Sequence, residues 1–176
     1  MDETSNERKR DETYGKLVSN LEDLTKNYRT LLDLLRKEKD FLIQSDLEAL
    51  SESNKAKETM IYKIRAQDAA RERYARELAN LVGADVKAPR LLELAQRLEG
   101  PAGDRLRAIH AALDLLIRRV SEINKENETY ASSALNSLNG AIGELKDTLA
   151  PKKTYGNQGK MSQGPEKAGN FVSKEA

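Results

Sequence analysis

The chain reads as long stretches of helical spacing with few interruptions. From Tyr14 an apolar stripe recurs at alternating three- and four-residue steps: Tyr14, Leu17, Leu21, Leu24, Tyr28, Leu31 and Leu35, then Glu38 and Leu42. That spacing places one seam along a helix, with Glu38 its one polar member. The register then breaks, and apolar positions restart at Leu47 and Leu50. Ser45 followed by Glu48 has the form of a capping box, which predicts a tight turn or sharp kink near residues 44–46 and a second helix behind it, with a hairpin fitting better than one continuous rod. The second seam is Leu47, Leu50, Asn54, Lys57, Ile61, Ile64, Asp68, Arg71, Ala75, Leu78 and Val82. With four polar members it cannot bury its whole length in a dry core. Gly83 suits the end of that helix, and Pro89 suits the first turn of a short third one with Leu91, Leu94, Ala95 and Leu98 on one face.

A fourth seam runs through Leu106, Ile109, Leu113, Leu116, Val120, Ile123, Asn127, Tyr130 and Ala134. It then slips by one position to Leu138, Ile142, Leu145 and Leu149, where Ser132, Ser133, Ser137, Gly140 and Gly143 lower intrinsic helicity. Such a stripe can pack on the chain's own helices or accept an amphipathic helix from another protein. The weak helicity and the slipped register favour the second use. Pro151 ends the pattern. The predicted helices are about 13–44, 46–82, 89–99 and 102–149. The fold class is all-α: an elongated antiparallel helical hairpin or coiled-coil bundle with a long C-terminal amphipathic helix. Residues 13–150 form its single domain. Residues 1–12 are polar with mixed charge and no apolar face, and are expected to be disordered. Residues 151–176 are rich in Gly and Lys and are expected to be a flexible tail.

Composition narrows the chemistry. The 176 residues include 30 basic and 29 acidic side chains, one His and no Cys. Near-neutrality removes the global basic field of a nucleic-acid binder. No apolar run is long enough for a membrane span or a signal-peptide core, so the chain is expected to be soluble and cytoplasmic. Without Cys there is no disulfide framework or thiol nucleophile, and one His cannot build an ordinary transition-metal site. No cofactor and no metal are expected. His110 is the one candidate for acid–base or phosphoryl chemistry. It lacks the Lys-Gly that usually follows a phosphotransfer His and flanks a seam position, so a structural role is expected. Arg71, Arg73 and Arg76 are interleaved with Asp68, Glu72 and Glu77 and read as a solvated, salt-bridged face. Glu38, Asn54, Lys57 and Asn127 occupy seam positions. They either set register and partner choice or open the seam to a partner's helix.

These residues together resemble the FlgN family of bacterial flagellar export chaperones. One stretch is Leu31-Leu32-x-Leu34-Leu35-x-x-Glu38, followed by Leu42, Asp46, Leu50 and Lys57. A second is Asn124-x-x-Asn127, and a third is Thr154-Tyr155-Gly156-x-x-Gly159. Their order and spacing carry the match over roughly residues 17–159; the N-terminal extension and the segment after Gly159 depart from it. The resemblance implies a cytoplasmic helical protein that is not an enzyme. It would bind the hook–filament junction proteins FlgK and FlgL and mask their C-terminal amphipathic segments. It would then deliver them to the type III export gate at FlhA. Glu38, Lys57, Asn124 and Asn127 match the family's polar seam, Leu138, Ile142, Leu145 and Leu149 would hold the substrate protein, and Tyr155 would dock on the gate. A homodimer is compatible with the long seams. The competing reading from the pattern alone is a self-associating coiled-coil scaffold.

Overall fold

The computed structural model describes residues 2–149. Four helices follow one another: α1 (Asp2–Gln44), α2 (Leu47–Val82), α3 (Leu91–Leu98) and α4 (Gly100–Leu149). No strand occurs among the described residues, so the all-α class holds. The chain divides after Ala131 into two compact units, taken separately below.

In the first unit, α1 and α2 form the hairpin. Pairing runs from Asn27 with Gln67 to Glu38 with Lys57, so the partner number falls as the α1 number rises and the helices are antiparallel. Helix α4 also packs against α1. Tyr14 donates to the Ala102 carbonyl, Glu22 pairs with Arg105, and Lys39 pairs with Glu126. Here both numbers rise together, so α4 runs parallel to α1. The predicted seam of α1 is the core: Leu17, Leu21, Leu24, Leu31 and Leu35 are all buried. Ile64, Ala75 and Leu78 of α2, Leu94 and Ala95 of α3, and Leu106, Leu113 and Ile123 of α4 complete it. The hairpin and the register of α1 are those the spacing predicts.

The turns differ in detail from the sequence expectation. Ser45 does not cap α2. It takes a left-handed φ of 56° and its N–H donates to the Leu42 carbonyl, closing α1. The N-cap is Asp46, whose carboxylate accepts from the Ala49 N–H at 3.0 Å. The chain reverses with two residues, so the left-handed step must fall on Ser45 and the capping oxygen on its neighbour. Gly83 ends α2 as expected, at φ 69° and ψ 34°, where a side chain would be strained. Helix α3 begins at Leu91, two residues beyond Pro89, because Arg90 is still extended. Glu99 at φ 53° then turns the chain directly into α4. Gly103 is required there: a Cβ would strike the Ala95 carbonyl oxygen of α3.

Residues 2–12 correct the sequence expectation. They are the first turns of α1, not a disordered segment. A helix nucleated by the packed seam lengthens at little cost per residue. Glu7, Arg8, Lys9 and Arg10 are good helix formers, and Glu12 and Lys16 pair at 2.6 Å across one turn. An apolar face is needed to start this helix but not to extend it.

In the second unit, residues 132–149 are helical to Leu149. Residues 151–176, expected to be a flexible tail, lie outside the described residues, as does Tyr155. No described helix is long and apolar enough to cross a membrane.

Candidate functional site

Two features with functional potential emerge from the polar and apolar irregularities of the seams. The first lies where the three long helices of the first unit meet near the closed end of the hairpin. Glu38 on α1 is 8% exposed and Asn127 on α4 is 4% exposed. Lys57 on α2 donates to Glu38 Oε1 at 2.6 Å, and Asn127 Nδ2 donates to Glu38 Oε2 at 3.2 Å. Asn127 Nδ2 also reaches the Leu35 carbonyl at 2.8 Å. One carboxylate therefore ties together three helices. Burying a charge is costly unless it is paired and hydrogen-bonded, and Glu38 is both. Three of the four polar residues that the resemblance singled out, Glu38, Lys57 and Asn127, thus form one network.

Asn124, the fourth, is exposed and stands at the rim of the same place. It makes no bond in the network. Together with Leu42, Leu50, Asn54, Glu128 and the network itself, it lines a cleft of about 390 Å³. Asn127 Oδ1 is buried there without a donor among the described residues. Beyond Asn127 the predicted fourth seam stops being a seam: Tyr130 and Ala134 are exposed.

The second feature is the apolar stripe of residues 132–149. Leu138, Ile142, Leu145 and Leu149 are 58, 42, 59 and 67% exposed. They stand at steps of four, three and four, which gives one face of a helix. Leu135 extends that face by one step and is also exposed. The sequence seam passed through Ala134 and missed it, although a count back from Leu138 in the slipped register reaches it.

His110 lines a separate, smaller cleft with Tyr28, Asp68, Arg71 and Asp114. Burial pushes the Tyr28 hydroxyl above its ordinary pKa, with the nearby Asp68 charge adding to the effect. Tyr14 shifts the same way, again chiefly by burial. At the surface, the hydrogen bond from Lys39 holds the Glu126 carboxyl below the usual range. No group of three or more metal-ligating side chains forms among the described residues. The arrangement presents surfaces: a polar cleft and an apolar stripe.

No match to the chain was found among curated proteins or among solved structures. The family model described as FlgN protein matches residues 13–163. That span contains the leucine-rich hairpin, the buried Glu38–Lys57–Asn127 network and the whole exposed stripe. With most of its length matched, the chain belongs to the FlgN family and has the role of a flagellar export chaperone.

Proposed function

We propose that this chaperone acts in the cytoplasm, without enzymatic activity, on the hook–filament junction proteins FlgK and FlgL. It covers their C-terminal amphipathic segments, prevents premature assembly and delivers them to FlhA at the export gate. The observation that carries this reading is the exposure of Leu138, Ile142, Leu145 and Leu149 on one helical face. A client that polymerises through an amphipathic helix needs that helix's apolar face covered beforehand, and a matching stripe covers it. Full burial of a Leu-sized side chain gains about 1.5–3 kcal/mol. The four are roughly half exposed already, so covering them gains about 3–6 kcal/mol gross from this side of the interface. Ordering and lost translational freedom take back a large part. The balance suits a complex that protects its client and still releases it.

Gate docking is assigned to Tyr155 on the strength of the Thr154-Tyr155-Gly156 motif, which falls within the family match. In co-purification with FlgK or FlgL, removal of residues 131–159 abolishes capture of the client. Tyr155→Ala leaves client capture intact and weakens binding to the cytosolic domain of FlhA. Equal loss of both partners in the tyrosine variant would merge the two sites and overturn the division of labour. A stable oligomer that captures no junction protein would overturn the reading in favour of a scaffold.

A further inference from the structure

The cleft at the closed end of the hairpin is a built site that the masking stripe does not use. Its floor pairs the Glu38 carboxylate with the Lys57 ammonium and leaves one buried acceptor unmet. Asn127 is 4% exposed, lines the cleft, and has an Oδ1 atom without a donor among the described residues. A buried acceptor left unpaired costs about 1–3 kcal/mol, so a donor supplied from outside recovers that amount. Each oxygen of the Glu38 carboxylate receives one bond, and a carboxylate oxygen can accept two. Glu128 stands exposed at the rim.

The surroundings share this bias. From Glu38 to Glu52 the sequence has five acidic side chains and one basic, Lys39. Lys39 is already paired with Glu126, while Asp40 and Glu48 are exposed. The same end of the hairpin carries two bare apolar side chains, Ile43 at 56% and Leu47 at 77% exposed. Leu47 is one helical turn from Leu50 of the cleft wall. A cleft with one unmet buried acceptor and Glu128 at its rim, beside an apolar tip in an acid-rich stretch, fits a basic amphipathic segment.

We infer that the hairpin tip is a second protein-docking site, taking a partner's basic amphipathic helix. The partner's apolar face covers Ile43 and Leu47, and one Arg or Lys enters the cleft toward Asn127 and Glu128. An Arg suits it best, since its planar fork supplies several donors to neighbouring acceptors. This site is independent of the stripe at residues 138–149 and stands whether or not the client assignment does.

The test is a pair of fluorescein-labelled synthetic helical peptides titrated with the full-length chain. One has leucines at i, i+3, i+4 and i+7 and Arg or Lys elsewhere; its counterpart has Glu at every basic position. The basic peptide is expected to bind at least tenfold tighter than the acidic one. Leu47→Asp and Glu128→Lys, both at exposed positions, should each weaken it at least fivefold with an unchanged helical circular dichroism spectrum. Leu145→Asp should leave it unchanged. Equal affinity for the two peptides would overturn the proposal, as would sensitivity to Leu145→Asp instead of Leu47→Asp. A light-scattering dimer dissolved by Leu47→Asp would give the tip to a second copy. Peptide binding that emerges only after deletion of residues 151–176 would give it to the chain's own C-terminal segment. Either result also overturns the assignment to a partner protein.

Discussion

Residues 2–131 and residues 132–149 carry large apolar side chains at the same helical steps and use them in opposite ways. In the first region Leu17, Leu21, Leu35, Leu78, Leu94 and Leu106 are fully buried. In the second, Leu138, Ile142, Leu145 and Leu149 are all exposed. The neighbours differ too. The first seam packs against α2 and α4 and is closed by a paired charge at Glu38. The second is interspersed with Ser137, Gly140 and Gly143, which cost up to about 1 kcal/mol each relative to Ala. A stripe kept apolar on a helix made weak is suited to a partner that supplies the missing packing. Spacing alone does not separate a core from a docking face; what packs against the stripe does.

Breaking the core side of the comparison should have the largest effect. Leu21→Ala removes a side chain with no exposure, and is expected to cost about 2–5 kcal/mol, read as a lowered urea midpoint with an unchanged slope. Leu138→Ala should move the same midpoint by less than about 0.5 kcal/mol. Comparable losses from the two would erase the distinction between the regions.

The polar closure of the core comes next. Lys57→Met strands the buried Glu38 carboxylate with Asn127 as its remaining partner and should cost about 1–3 kcal/mol. Removing both charges together, with Glu38→Gln in the same chain, should restore part of that stability. Additive losses in the double variant would show that the pair does not interact.

The smallest effect belongs to the two tyrosines packed against the core. Burial raises both Tyr14 and Tyr28. Below the unfolded tyrosine pKa both states are protonated and the full stability is present. Stability is then lost as pH rises through the folded values. An alkaline titration of tyrosinate absorbance should show late steps from Tyr14 and Tyr28. Tyr14→Phe and Tyr28→Phe should each remove one late step. An unchanged late part of the titration in both variants would contradict their burial.

Much of this fold was legible in the sequence because a helical seam is a local pattern. The steps from Leu17 to Leu35 place the core of α1 without knowledge of its partners. The turn was placed within a residue, but the choice between Ser45 and Asp46 as cap depended on which residue took the left-handed step. Residues 2–12 were misread because the absence of an apolar face argues against starting a helix, not against continuing one. At the candidate site, Glu38, Lys57 and Asn127 were each visible as polar intrusions into separate seams. That they meet one another is a tertiary fact, fixed by the antiparallel register of α2 and the parallel register of α4 on α1. The hairpin tip was read differently: Leu47 opened the second seam, yet it is 77% exposed. Ile43 and Leu47 flank a turn, and only the folded chain shows that nothing among the described residues covers them.

The central claim is that the stripe of residues 132–149 is a docking face and not a displaced piece of core. Calorimetric titration of purified FlgK or FlgL into the wild-type chain and into a Leu138→Asp/Leu145→Asp variant tests it most directly. Thermal unfolding of the variant is run alongside. The account predicts at least a hundredfold loss of client affinity with the main unfolding transition unmoved. Unchanged affinity, or a loss of affinity accompanied by collapse of the main transition, would contradict it.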